Sequence, residues 1–308
     1  MKKHTTRNSL LLLLTAFIWG LAFVAQSEGG KQVGPYTFNT IRSYIGALVL
    51  LPVILTLDKM GLSKKPSNKE ERKVLWTGGI ACGIALGFAT NLQQVGMYLG
   101  ASAGKAGFLT ACYIVLVPIL GMFIGKKCSP FVWVSVGIAI AGLYLLCING
   151  AESFGLALGD VLVLTCALVF AIQILLVDHY SPKVDGVRLS AIQFTICALI
   201  STVLMVTKEL GTTSEQIHVW VSNLSSLNAW IPILYAGVLS CGVAYTLQII
   251  GQRDVPPTAA SLIMSLESVF SVIGAWVILK QSMTGRQLIG CGLIFLAIVI
   301  CQVVPAKE

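Results

Sequence analysis

Charge is scarce in this sequence. Of its 308 residues only 11% are Asp, Glu, Lys or Arg, less than half the roughly 25% of an ordinary soluble domain. With 56% hydrophobic residues, the chain lacks the polar surface that a water-soluble globule of this length needs, and it reads as an integral membrane protein. Histidine is rarer still: His4, His179 and His218 all lie outside the apolar runs or at their ends, which argues against a histidine-based catalytic or metal centre inside them. There is no HExxH. The nine cysteines form no CxxC and none lies near a histidine. Cys82, Cys112, Cys147, Cys166, Cys197, Cys241, Cys291 and Cys301 fall in apolar runs and Cys128 in a loop, so they read as small buried hydrophobes rather than disulfides or metal ligands. No cofactor is expected.

One stretch imitates a phosphate loop, Gly100-Ala101-Ser102-Ala103-Gly104-Lys105-Ala106. It is one residue short between the glycines, it has Ala106 where the hydroxyl residue belongs, and it opens an apolar run. Nucleotide binding is therefore rejected. Lys105 either snorkels to the interface or stands as a cation at a cavity mouth.

What the chain has in abundance is long hydrophobic runs. A helix needs roughly 20 apolar residues to cross about 30 Å of hydrocarbon, and ten stretches qualify: Asn8–Gln26, Pro35–Leu57, Lys73–Tyr98, Ala101–Ile124, Pro130–Ile148, Leu158–Val177, Val187–Thr207, Leu227–Ile250, Pro257–Leu279 and Met283–Val304. The fold class expected is an all-α integral membrane protein with ten transmembrane helices. Lys2, Lys3 and Arg7 precede the first run, but that run is long, contains Trp19 and shows no cleavage site near Ala25. It is read as a retained span rather than a signal peptide. Two connections are longer and polar, Asp58–Arg72 and Lys208–Ser226; no segment could form a soluble domain.

The net charge of +8 sits in alternate loops and does not imply nucleic acid. With the N-terminus inside, Lys2, Lys3, Arg7, Lys59, Lys64, Lys65, Lys69, Arg72, Lys73, Lys126, Lys127, Lys183, Arg188, Arg253 and Lys307 are cytoplasmic, against Lys31, Lys105, Lys208, Lys280 and Arg286 outside. Fifteen against five places both termini in the cytoplasm by the positive-inside rule, and the whole chain in the cytoplasmic membrane.

The halves resemble each other weakly but in register. Ala16-Phe17-Ile18-Trp19-Gly20 matches Ala167-Leu168-Val169-Phe170-Ala171, Ile41-Arg42 falls on Ile192-Gln193, and Asn91-Leu92-Gln93-Gln94-Val95-Gly96 resembles Thr246-Leu247-Gln248-Ile249-Ile250-Gly251. Residues 1–150 and 151–308 thus read as two repeats of five spans. Five is odd, so the second repeat enters the membrane upside down, a plan that places a solute site near the midplane between the halves. Gly79, Gly83 and Gly87, and again Gly121 and Gly125, recur every fourth residue. This spacing lets helices approach closely, within the chain or across a homodimer.

Glu267 is the only acid deep in an apolar run and Arg42 the only deep base. Their distances from Pro257 and Pro35 put them roughly 15 Å and 10 Å from opposite surfaces, at overlapping depths. A mid-membrane charge is costly and usually faces a partner or a cavity. Two readings stay open: both line a cavity, binding a zwitterion or coupling a proton, or they form an ion pair locking the second and ninth spans. Intramembrane amides need partners as well; Gln93, Gln193 and Gln248 are candidates for the cavity lining, with Trp19 and Tyr113 as its aromatic walls and Lys105 at its mouth.

These residues resemble the drug/metabolite transporter superfamily, in its EamA-type branch with two five-helix repeats. The resemblance rests on Trp19-Gly20, Arg42, Ala103-Gly104-Lys105-Ala106-Gly107-Phe108-Leu109-Thr110 and above all Ser265-Leu266-Glu267-Ser268-Val269-Phe270. The chain departs at Ser268, where Pro is usual, and at Gly125-Lys126 and Lys280-Gln281, where Gly-Glu is usual. The resemblance implies ten helices, a central cavity opening to alternate sides, and movement of small organic metabolites, often amino acids or related compounds and often outward. The function expected is alternating-access transport of a small polar or zwitterionic solute, without ATP hydrolysis by this chain. An uptake carrier for a vitamin- or nucleoside-like solute is the alternative, and a membrane-embedded enzyme or structural membrane protein a distant one. The partners expected are the solute and the lipid bilayer.

Overall fold

The computed structural model describes residues 2–101, 103–126, 128–148, 157–279 and 284–303. The boundary expected between residues 150 and 151, and Lys127, Lys280 and Lys307 of the charge argument, lie outside the described residues. The elements run in the order α1 (Lys2–Val33), α2 (Pro35–Lys59), α3 (Lys69–Tyr98), α4 (Ala103–Ala111), α5 (Tyr113–Phe123), α6 (Pro130–Cys147), α7 (Leu158–Tyr180), α8 (Gly186–Lys208), α9 (Ser214–Leu224), α10 (Leu227–Leu234), a π-helical segment (Tyr235–Ala244), α11 (Tyr245–Gly251), α12 (Pro257–Met264), α13 (Leu266–Leu279) and α14 (Gly285–Val303). Among the described residues seven stretches are long and apolar enough to cross a membrane, and three shorter apolar helices, Pro130–Leu146, Pro257–Ile273 and Gly285–Cys301, fall where the fifth, ninth and tenth spans are expected. The protein is an all-helical, multi-pass membrane protein.

Local chemistry explains where the helices start. Pro35, Pro130 and Pro257 each open a helix, at a position where the missing amide proton would have had no partner. Gly34 takes φ +89° just before α2, a conformation that side chains resist. The Asn68 side chain caps α3 by accepting from Glu71 N at 2.8 Å.

Three expected spans are interrupted. The fourth breaks at Cys112 between α4 and α5, and the ninth at Ser265 between α12 and α13. The ninth breaks although it has Ser268 rather than Pro. Ser265 Oγ donates to Leu262 O at 2.7 Å, and Ser268 N donates to Ser265 O at 3.2 Å, so a short-range turn replaces one step of the helical ladder. The eighth span winds as α10, the π-helical segment and α11; such wide turns are rare and concentrate at functional sites.

The packing pairs the two halves. α6 lies on α14, α3 on α7 and α8, α2 on α8 and the π-helical segment, and α1 on α13, α11 and the π-helical segment, while α7 lies on α4 and α5. Exchanging the halves leaves these pairings in place. α6 with α14 and α2 with α8 map onto themselves, α3 with α8 maps onto the π-helical segment with α2, and α1 with α13 maps onto α7 with α5. The glycine row of α3 serves this packing within the chain. A Cβ on Gly79 would meet Ile192 at 2.5 Å, one on Gly83 would meet Ile196 at 2.6 Å, and one on Gly87 would meet Ile200 at 3.0 Å, all on α8. The second glycine pair is not such a face. Gly125 has φ +83° and open space around it, and Lys126 N donates to Gly121 O at 2.9 Å. It ends α5 as a left-handed cap.

Candidate functional site

A narrow cavity lies where the interrupted helices meet. The first half contributes Trp19, Phe23 and Gln26 from α1, Arg42 from α2, Gln93 from α3, and Thr110 and Tyr113 from α4 and α5. The second half contributes Phe170 and Gln173 from α7, Ser240 from the π-helical segment, Tyr245 and Gln248 from α11, and Glu267 from α13.

Close backbone approach brings these side chains together. A Cβ on Gly20 would lie 2.6 Å from both Glu267 O and Phe270 Cβ, so α1 touches α13 and sets Trp19 beside the helix that carries Glu267. On the opposite wall a Cβ on Gly237 would meet Ile45 at 2.7 Å and Arg42 O at 3.2 Å. Tyr113 and Glu267 stand just past the two breaks, in the first turns of α5 and α13. The unsatisfied amides and the positive dipole end of α13 favour an anion there.

Glu267 is 5% exposed and Arg42 4%, yet they form no ion pair. Glu267 Oε1 accepts from the Tyr113 hydroxyl at 3.2 Å. The Arg42 guanidinium lies 5.3 Å from the Phe38 ring centroid, and its Nε is buried without a hydrogen-bond partner. The lock reading therefore lacks its contact. Arg42 is held by an aromatic face and Glu267 by a phenol, and both side chains remain on the cavity wall.

The amides form a supporting chain. Gln248 Nε2 donates to Gln173 Oε1 at 3.2 Å, and Gln173 Nε2 donates to Gln193 Oε1 at 3.1 Å. Gln193 thus stands behind the lining rather than in it. Gln93 Nε2 donates to Thr110 Oγ1 at 3.0 Å. Trp19 and Tyr245 pack at 4.5 Å between ring centroids, and Phe194 sits edge-on to Tyr245 at 5.2 Å. Trp19 Nε1, Gln26 Oε1 and Gln248 Oε1 are, like Arg42 Nε, buried without partners. A buried polar atom left unpaired costs about 1–3 kcal/mol. Two orphaned donors and two orphaned acceptors around one cavity mark a surface shaped for a polar guest.

Lys105 is elsewhere. It pairs with Asp160 at 2.6 Å and is not among the lining residues; Asp160, 2% exposed, also accepts from Ala157 N at 2.9 Å. Their pairing ties α4 to the start of α7. The sequence reasoning did not single out Asp160, since it lies at a span end, and it missed Tyr245, Gln26 and Ser240. Gln173 was visible as an intramembrane amide, but nothing in its spacing distinguishes a lining amide from a bridging one.

The comparisons with known proteins agree with this architecture. The pattern of the EamA-like transporter family matches twice, over residues 7–148 and 157–302. An uncharacterized transporter of Archaeoglobus fulgidus is 30% identical over 290 residues, covering 94% of this chain and 83% of that protein. The uncharacterized transporter YoaV of Bacillus subtilis is 24% identical, covering 92% of this chain and 94% of its own. A protein of known crystal structure superposes with a TM-score of 0.76 at 17% identity, over 97% of both chains; it shares the fold. With its two matched halves and its relatives named as transporters, the chain belongs to the EamA-like transporter family.

Proposed function

We propose that the protein is a secondary transporter that exports a small polar or zwitterionic organic metabolite, an amino acid or related compound, across the cytoplasmic membrane by alternating access. One observation carries this reading: a single cavity presents a buried carboxyl and a buried guanidinium that are not paired with each other. A zwitterion offers each its missing counter-charge. An isolated buried charge is otherwise strongly disfavoured. The exchange-invariant packing supports two inverted five-helix repeats, with the three shorter apolar helices completing ten spans and both termini in the cytoplasm. The paired breaks beside Tyr113 and Glu267 supply the discontinuous helices on which such carriers build midplane sites.

The tilted Trp19–Tyr245 ring pair favours a second reading, uptake of a planar vitamin- or nucleoside-like solute that would stack there. A metabolite flux screen in proteoliposomes, with and without an imposed proton gradient, tests both. Faster movement of zwitterions than in empty vesicles supports the first, and faster movement of aromatic heterocycles alone the second. No flux above empty vesicles for any solute overturns both. Reporters at Gly61 and Gly211 should register opposite compartments if the inverted topology holds.

A further inference from the structure

A second cavity, with about 1,210 Å³ of empty space, opens where the end of α2 meets the starts of α3 and α8. Its floor is charged: Lys65, Arg72 and Arg188 line it together with Asp58. Its wall is apolar, from Leu51 and Ile54 on α2, Leu75 and Trp76 on α3, and Ile192 and Ile196 on α8. This combination matches neither a soluble-ligand pocket nor a plain lipid-facing surface.

The charges do not cancel. Asp58 is shared: Arg188 Nη2 donates to its Oδ1 at 2.6 Å and its Oδ2 at 2.8 Å, while Lys65 Nζ lies 3.2 Å from Oδ2. Among the described residues no carboxylate lies within ion-pairing distance of Arg72, which is exposed. Of the other nearby acids, Glu71 accepts from Ser67 N and Oγ, and Asp185 caps α8 by accepting from Arg188 N at 3.0 Å. Three cations thus face one anion across the floor.

The apolar wall continues along the membrane-facing surface, where Ile80 and Ile84 on α3 and Leu199 on α8 are exposed. Trp76, 52% exposed, stands at the junction of the two zones, where tryptophan anchors at the headgroup level.

We propose that this groove binds an anionic phospholipid, its phosphate on Lys65 and Arg72 and its acyl chains along α3 and α8. A site with a cationic floor and an apolar wall complements an anionic headgroup with tails; a zwitterionic lipid gains little from the excess positive charge, and free phosphate gains nothing from the wall. Basic pockets between transmembrane helices recognise anionic headgroups in this way. The placement in the inner leaflet rests on the proposed orientation, whereas the site itself does not.

Trp76 supplies the readout. The protein is reconstituted in phosphatidylcholine nanodiscs doped at low mole fraction with brominated phosphatidylglycerol or brominated phosphatidylcholine. The Trp76 fluorescence is taken as the difference between the wild type and Trp76→Phe. Brominated phosphatidylglycerol should quench this component several times more strongly than brominated phosphatidylcholine. Arg72→Gln with Lys65→Gln should weaken the preference about thirtyfold, at about fivefold per charge removed. Ellipticity and elution should be unchanged; should the double variant misfold, Lys65→Gln alone, at an exposed side chain, should lower the preference about fivefold. Equal quenching by the two lipids, or a preference that survives the substitutions in folded protein, overturns the proposal. Relief of quenching by excess inorganic phosphate would assign the floor to a free anion instead and overturns it as well.

Discussion

The charged residues at the ends of the bundle and those at its centre are treated in opposite ways. At the ends several are paired with one another. Lys105 meets Asp160, Lys126 meets Asp178, and Arg188 and Lys65 share Asp58. Glu209 holds the start of α2, accepting from Tyr36 N at 2.7 Å and from Thr37 N and Oγ1 at 2.6 Å. At the centre, Arg42 and Glu267 share one cavity without forming a pair. Burial alone does not explain the contrast, since Asp160 is as buried as either. The paired end charges join helices that must stay together, and their partners are protein groups. The central charges are left for something that comes and goes. Desolvated, unpaired charge is the most costly arrangement a chain can keep, and it persists where function uses it.

Removing the central charges should therefore abolish function without unfolding the protein, and removing the end charges should do the reverse. The largest effect is expected on transport. Glu267→Gln and Arg42→Gln should each lower flux about tenfold to hundredfold, the worth of a hydrogen bond to a charged group, with little loss of thermal stability, because a neutral amide is easier to bury than an ion. Glu267→Gln should also make flux insensitive to an imposed pH gradient. A Glu267→Gln protein that unfolds, and is rescued by adding Arg42→Gln, would restore the lock reading and erase the contrast.

Gly20→Ala tests whether the central site depends on backbone contact between α1 and α13. Its Cβ has no space beside Glu267 O, and overpacking of this kind costs about 1–3 kcal/mol. Melting temperature and flux should fall together. Asp160→Asn should destabilise by about 1–3 kcal/mol by leaving the Lys105 ammonium without its carboxylate, while flux per folded molecule stays within about twofold of the wild type, well inside the range of single-contact losses. A collapse of flux at full stability would move Lys105 and Asp160 from the helix-joining set into the solute path. The smallest effect is expected at Glu209→Gln, about 0.3–1 kcal/mol for the charge lost at the α2 N-terminus, seen as a slight shift in denaturation midpoint with flux unaffected.

Reading order follows from how local each signal is. Apolar runs, proline starts and the odd basic loops depend on a few neighbouring residues, so the membrane class, the helix starts at Pro35, Pro130 and Pro257, and the register of Gln93 with Gln248 were legible directly. The breaks were less so. Ser265 and Cys112 stand at the two breaks, each with its side chain donating to a carbonyl of the preceding turn, and neither residue type carries a strong breaking propensity. The glycine spacing at Gly121 and Gly125 resembles that of α3, yet one row packs against a helix and the other ends with a cap. Period alone does not separate the two.

The same division holds for the site. The sequence by itself determined that Arg42 and Glu267 would be costly to bury and rare, and the family to which such residues in such a frame belong, because charge and hydropathy are properties of residues. Only the tertiary structure decided that the two share a cavity without pairing, that Lys105 turns to Asp160, that Gln193 stands behind Gln173, and that a cationic floor forms beneath Trp76. Each of those facts depends on distances between helices far apart in the chain, set by packing across both halves, and no local pattern of residues encodes them.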